Sequence, residues 1–223
     1  MQPEVWTAVE NYISEHLLPH DQVLEDVLEA SQNAGLSAVH VPPAQGKLLH
    51  LLALTRQARR ILEIGTLGAY STIWLARALP SDGKLITLEK DPKTAAVAQA
   101  NIARAGLEQI IELRVGAALD SLAQIAEEGQ EPFDMVFIDA DRRNFVKYLN
   151  WAMKLTQRGS LIVMDNVVRS GAILDETQTD DNLRGVRELY DALAAEPRLR
   201  TTAIQTVGSK GYDGFALGVV VSD

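Results

Sequence analysis

The sequence predicts an α/β fold: a mostly parallel sheet with an antiparallel edge, helices on both faces, and a helical cap at the N-terminus. Three observations predict it. Before Arg60 the apolar residues recur only at helical spacing. From Arg60 onward short apolar runs alternate with longer amphipathic segments, the pattern of βαβ units. After Pro197 two β-rich runs, residues 201–207 and 215–221, flank a glycine-containing segment, residues 208–214, that reads as a loop joining an antiparallel pair.

The elements follow in order. Val5, Val9, Tyr12, Ile13 and Leu17 share a helical face, as do Val23, Leu24, Val27 and Leu28. Pro19 separates these two helices and Gly35 ends the second. Pro42 and Pro43 introduce a third helix with Leu48, Leu49, Leu51, Leu52 and Leu54 in its body, because a first-turn proline lacks only an N–H that would be unbonded anyway. The strands begin with residues 60–64 and 85–89. Asp91 and Pro92 supply an N-cap and first turn for the next helix, which Gly106 stops. Residues 110–115 form the third strand. Gly129 and Pro132 precede the fourth, and Arg158-Gly159 turns the chain into the fifth. Leu183, Val186, Leu189, Tyr190 and Leu193 mark a late helix ending near Pro197. The whole, residues 1–223, is expected to be one domain: residues 1–59 a cap and residues 60–223 the core.

Bulk properties narrow the function. The net charge of −9 disfavours a broad nucleic-acid footprint. The absence of cysteine excludes disulfides, zinc–thiolate sites and a thiol nucleophile. Residues 1–15 are polar, without a basic segment followed by an apolar run, and no apolar stretch approaches the roughly 20 residues that span a bilayer. A soluble cytoplasmic protein is expected.

Acidic residues close four apolar runs: Glu63, Glu89, Asp139 and Asp165. The C-terminal strand ends of a parallel sheet form one rim, where ligands bind. So negative a rim repels a diphosphate and suits a cationic ligand, a metal ion, or both. The segment from Glu63 to Ser71, with Gly65 and Gly68, makes a strand–helix turn but lacks the G-x-G start of the dinucleotide fingerprint. Glu89 follows about 25 residues on, close to the spacing at which an acid meets a ribose diol. S-adenosylmethionine fits: it carries an adenosine, a cationic sulfonium and ammonium, and no phosphate. Asp139, Asp165 and Asn166 converge if the fourth and fifth strands are neighbours. An oxygen-only donor set suits Mg²⁺, Mn²⁺ or Ca²⁺ and not zinc. His16, His20, His40 and His50 are expected on helix faces or in solvent.

Residues 62–66, Tyr70-Ser71, residues 133–141 and Asp165-Asn166-Val167, in this order and spacing, resemble the cation-dependent O-methyltransferases of the caffeoyl-CoA and catechol group. The resemblance runs from about Val41 to Val221. It implies a seven-stranded Rossmann-like methyltransferase fold, a homodimer and a small aromatic acceptor. It further implies that Asp139, Asp165 and Asn166 bind the cation. By the same resemblance Val41, Glu63, Gly65, Thr66, Ser71, Glu89, Ala118 and Asp139 line the cofactor site, and residues 168–182 shape the acceptor pocket. Two departures matter. Ala69 stands where the family often has glycine, a difference Gly68 is expected to absorb. Arg142 stands where the family places a lysine assigned as general base, and arginine in a protein stays protonated.

The expected reaction is transfer of a methyl group from the sulfonium to a hydroxyl of a vicinal diol, acidified by the metal. Arg142 is expected to hold the deprotonated acceptor electrostatically. The proton leaves to solvent or to Asp141, beside Asp139 in the catalytic set. Other readings stay open: a methyltransferase acting on a hydroxylated RNA base through a basic patch of Arg56, Arg59, Arg60, Arg142 and Arg143, a catalytically silent nucleoside-binding protein, or a nicotinamide dehydrogenase.

Overall fold

The structure of the protein is a computed structural model that describes residues 2–222; Met1 and Asp223, the two ends of the expected domain, lie outside the described residues. The chain begins with three helices, α1 (Pro3–Leu17), α2 (Gln22–Asn33) and α3 (Pro43–Arg56). It then alternates: β1 (Arg60–Ile64), α4 (Tyr70–Ala76), β2 (Lys84–Glu89), α5 (Pro92–Arg104), β3 (Ile111–Val115), α6 (Ala118–Glu127), β4 (Phe133–Ile138), α7 (Phe145–Leu155), β5 (Thr156–Asp165), α8 (Asp181–Ala195), β6 (Leu199–Gly208) and β7 (Gly211–Val220). Short 3₁₀ turns at Arg142–Asn144 and Arg169–Leu174 interrupt the loops after β4 and β5.

The strand order is β3-β2-β1-β4-β5-β7-β6, parallel through β5 and antiparallel for the last two. The order reverses between β1 and β4, which is where ligands bind in such sheets. Both faces are covered, so the central strands read as continuous apolar runs that split residue by residue. Leu62, Ile64, Leu88, Val136, Ile138, Ile162 and Met164 point to the side packed by α6, α7 and α8. Ile61, Leu85, Met135, Phe137 and Val163 point to the side packed by α2, α3, α4 and α5, through Leu24, Val27, Leu49, Ala53, Ile73 and Ile102.

Capping works as the sequence implies. The carboxylates of Asp21, Asp91 and Asp180 accept hydrogen bonds from the first-turn amides of α2, α5 and α8. Two boundaries differ from expectation. Arg158-Gly159 lies inside β5, where a register shift opposite Phe133 marks a bulge. The Ser160 hydroxyl donates to the Phe133 carbonyl there at 2.8 Å. The segment after β6 is a tight hairpin, with Gly208 paired to Gly211, so Tyr212, Asp213 and Gly214 belong to β7. Glycine at 211 has φ +92° and supplies the left-handed turn that residue-pattern reading spread over seven positions.

Candidate active site

Register places the candidate residues. Ile64 lies beside Leu88 and Ile138, and Ile138 beside Met164. The next residues, Gly65, Glu89, Asp139 and Asp165, therefore leave four adjacent strands at one level. Above them opens a cavity of about 1340 Å³. That exceeds the usual range of roughly 300–1000 Å³ for a single small ligand, leaving room for two ligands side by side.

Gly65 has φ +101°, and a Cβ there would sit 2.1 Å from the Asp139 carbonyl oxygen, so only glycine fits. Glu89 is buried at the cavity wall, its Oε2 accepting from the Leu67 amide at 3.0 Å and its Oε1 from the Asp91 amide at 2.9 Å. Each oxygen accepts only one of these bonds and keeps capacity for another, as a ribose diol would need. Val41, Thr66, Ser71 and Ala118 also line it.

Glu63 does not. It is fully buried beneath the wall, with Ser71 donating to Oε1 at 2.7 Å and Thr72 and Thr87 donating to Oε2 at 2.5 and 2.7 Å. Burial pushes its carboxyl up to about 7, although the three hydroxyls pull the other way. Its link to the cavity is the Ser71 hydroxyl that it orients. The structure thus turns an expected lining residue into a support.

Ala69 carries a second correction. It adopts φ 67°, ψ 23° itself, whereas Gly68 has no positive φ and its missing Cβ makes room for Ser31. Gly68 thus does not absorb the strain of the turn; an L-alanine bears it.

Asp139, Asp165 and Asn166 all face the cavity. Asn166 sits in the left-handed region, φ 60°, a conformation asparagine tolerates better than most residues. The Asp165 Oδ1 accepts from the Asn166 amide at 2.8 Å. Burial raises the carboxyl pKa of both aspartates, and their proximity adds to the rise at Asp165. Such a pair calls for a positive charge, and Arg142 supplies one: its Nη2 donates to Asn166 Oδ1 and lies 3.5 Å from Asp139 Oδ1. Asp139 and Asn166 share the Arg142 guanidinium, Asp165 lines the same cavity, and their oxygens are of the kind a hard divalent ion takes.

Asp141 is committed elsewhere. Tyr148 Oη and Asn144 Nδ2 each donate to it at 2.6 Å, and Arg143 Nε donates at 3.1 Å. Burial would raise its pKa, but these donors outweigh it and hold the carboxyl below its ordinary value. It anchors the turn after β4 and is a poor proton acceptor.

Residue-pattern reading missed three participants. Asp213 lines the cavity because β7 starts at Gly211, and its Oδ1 accepts from the Val168, Arg169 and Gly214 amides. The tight glycine-flanked hairpin was the available signal. Gln45, at the start of α3, presents a buried side-chain amide to the cavity, where it favours the charged Asp165 carboxylate against the rise from burial. His40 lines the cavity beside Tyr70, with ring centroids 5.5 Å apart. Burial pushes His40 down to about 4 and Lys210 adds to the shift, so the ring is neutral at pH 7 and not the solvated group expected. The hairpin tip roofs this side: Glu10 accepts from the Ser209 amide at 2.6 Å and Lys210 Nζ donates to the Ala38 carbonyl at 2.5 Å.

The basic patch required for an RNA substrate does not assemble. Arg56 pairs with Asp134 at 3.1 Å and Arg59 with Asp82, both near the start of β1, while Arg142 and Arg143 follow the end of the parallel strand β4. Among the described residues no helix is long and apolar enough to cross a membrane.

The chain is similar to known proteins over nearly its whole length. A family model described as O-methyltransferase matches residues 13–217. A catechol O-methyltransferase of Niastella koreensis is 49% identical over 220 residues, covering 99% of this chain and 100% of its own. An O-methyltransferase from Bacillus cereus, solved in complex with SAH, superposes with a TM-score of 0.97 at 53% identity, covering 98% of this chain and 100% of that one. The O-methyltransferase TomG from Streptomyces achromogenes, involved in tomaymycin synthesis and solved with SAM, gives a TM-score of 0.96 at 46% identity with full coverage of both chains. With a large cavity at the switch point of the sheet and relatives alike over their whole length, the chain belongs to the O-methyltransferase family and is an S-adenosylmethionine-dependent O-methyltransferase.

Proposed function

We propose that the enzyme methylates one hydroxyl of a small aromatic vicinal diol, of the catechol or caffeoyl type, and depends on a divalent cation, Mg²⁺ first and Mn²⁺ or Ca²⁺ as alternatives. The observation that supports the reading is that Asp139, Asp165 and Asn166 line one cavity and that two of them, Asp139 and Asn166, gather around a single positive charge, the Arg142 guanidinium. The catechol O-methyltransferase name of a relative 49% identical along the whole chain supports the acceptor class.

When bound, the cation would lower the pKa of an acceptor hydroxyl, and S-adenosylmethionine would supply the methyl group. The protein's part is placement and charge. Glu89 holds the ribose end, and the Gly65–Thr66 turn lets the ligand approach the backbone. Val41, Ser71 and Ala118 complete the cofactor wall, with Glu63 fixing Ser71 from behind. Asp139, Asp165 and Asn166 would hold the cation. Holding donor and acceptor in contact lowers the barrier by orientation. Asp141 being occupied, the acceptor proton leaves to solvent. Arg142, always charged, stabilises negative charge in the cavity and is no base.

The same proposal takes the enzyme as a cytoplasmic homodimer and a single domain over residues 1–223, with 1–59 as cap and 60–223 as core. Leu24, Val27, Leu49 and Ala53 of the cap share a core with Ile61 and Phe137, which supports one unit. Val5, Val9, Tyr12 and Leu17 of α1 are exposed together, which supports a covered α1 face in a dimer.

Asp165→Ala is expected to abolish turnover with a catechol acceptor and to weaken Mg²⁺ binding in calorimetry, while binding of S-adenosylhomocysteine persists. Full turnover in excess EDTA would exclude the cation.

A further inference from the structure

Arg142 occupies the place where the proposed cation belongs. Its Nη2 donates to Asn166 Oδ1 and faces Asp139 Oδ1 at 3.5 Å, two of the three donor oxygens. Its Nε is buried without a hydrogen-bond partner among the described residues, so the guanidinium is held at one end only. The backbone beneath is fixed: the Arg142 carbonyl lies against Gly185 of α8, where a Cβ would come within 2.2 Å of it. The side chain, 25% exposed and facing the large cavity, has room to turn on that fixed base.

An oxygen can serve a metal ion and a hydrogen bond at once, but two cations cannot occupy the one position between Asp139 Oδ1 and Asn166 Oδ1 that Nη2 takes. A guanidinium donates hydrogen bonds at about 2.7–2.9 Å, while Mg²⁺ coordinates at about 2.0–2.1 Å with near-octahedral demands. Without either, Asp139 and Asp165 would face each other, with Asp213 nearby, and no counter-charge among the donors. Arg169 is turned to Asp213, its Nη1 at 3.5 Å, and does not replace it.

We propose that Arg142 is an internal cation of this donor set: it holds Asp139 and Asn166 in the metal-free enzyme, and a divalent ion binds by exchanging with it. The inference rests on the metal reading above and adds that metal affinity is set by an intramolecular competitor. After exchange the guanidinium, tethered at the same backbone position, stays in the cavity as a free positive charge on the acceptor side.

The test is Mn²⁺ binding, followed by electron paramagnetic resonance of the free ion, for the wild type, Arg142→Met, Arg142→Lys and Arg169→Met, with melting temperature as a second readout. Arg142→Met is expected to bind Mn²⁺ about tenfold tighter, the size of an ordinary coupling between two sites. Lysine, too compact to span both oxygens, is expected in between and serves if the methionine variant does not fold. Arg169→Met removes a charge from the same cavity without freeing a proposed donor, and is expected to change affinity much less. Without metal, Arg142→Met should melt below the wild type, and saturating Mg²⁺ should raise it by more. Equal or weaker Mn²⁺ binding by both Arg142 variants overturns the exchange and leaves the metal reading standing. Equal tightening by Arg169→Met reduces the effect to general charge relief and overturns it too. If no variant and no wild type binds Mn²⁺, the metal reading falls and takes this inference with it.

Discussion

At the scale of single residues, the site depends on backbone conformations that particular side chains permit or resist. Ala69 is the clearest case. An L-residue in the left-handed region costs roughly 1–2 kcal/mol, and Ala69 has φ 67°. Ala69→Gly should therefore stabilise the protein by about 0.5–1 kcal/mol in urea unfolding, after the greater freedom of glycine in the unfolded chain is discounted. A loss of stability would show that the methyl group's burial outweighs the strain. Sequence alone showed that a glycine was missing there and misplaced the remedy at Gly68, because φ at each position depends on the whole turn. Glu89 was legible, since strand-end position and spacing point to it independently. Glu89→Ala should weaken S-adenosylhomocysteine binding about tenfold to a hundredfold, the range for hydrogen bonds to a charged group, and lower turnover at saturation much less. Equal affinity in calorimetry would remove Glu89 from the ribose.

At the scale of elements, register is what gathers the site. Strand ends were readable because each closes an apolar run, and adjacency followed from βαβ order. The hairpin β6–β7 was not readable in detail. Its glycines gave too many possible turn positions, so Asp213 was taken as loop and its role was invisible. His40 was lost for a similar reason: its burial comes from Tyr70 and the hairpin tip, neither near it in sequence. Helix α1 presents the opposite case. Its apolar spacing was clear, yet among the described residues it buries no side chain. If that face meets a second copy, Val9→Glu with Tyr12→Glu should shift sedimentation toward monomer with little change in the far-ultraviolet spectrum. A single monomeric species for the wild type would sink the dimer.

At the scale of the molecule, buried acid governs the pH response. Glu63 has a folded pKa raised from 4.5 to about 7 by burial. A raised folded pKa means the folded state binds the proton more tightly. The contribution is fully present below pH 4.5 and is lost as pH rises through 7. Each pK unit is worth about 1.4 kcal/mol, so this group alone removes on the order of a few kcal/mol across that window. Glu63→Gln should flatten the fall in stability between pH 4.5 and 7 in chemical denaturation. Parallel curves for variant and wild type would show that Glu63 is ionised throughout.

The bond from the Ser209 amide to Glu10 spans 199 positions. It ties α1 to the β6–β7 hairpin, and Lys210 does the same for the segment around Ala38. The roof over the His40 side of the cavity therefore depends on contacts between segments far apart in the sequence. A chain shortened before β6 would lack both ties and leave this side of the cavity open.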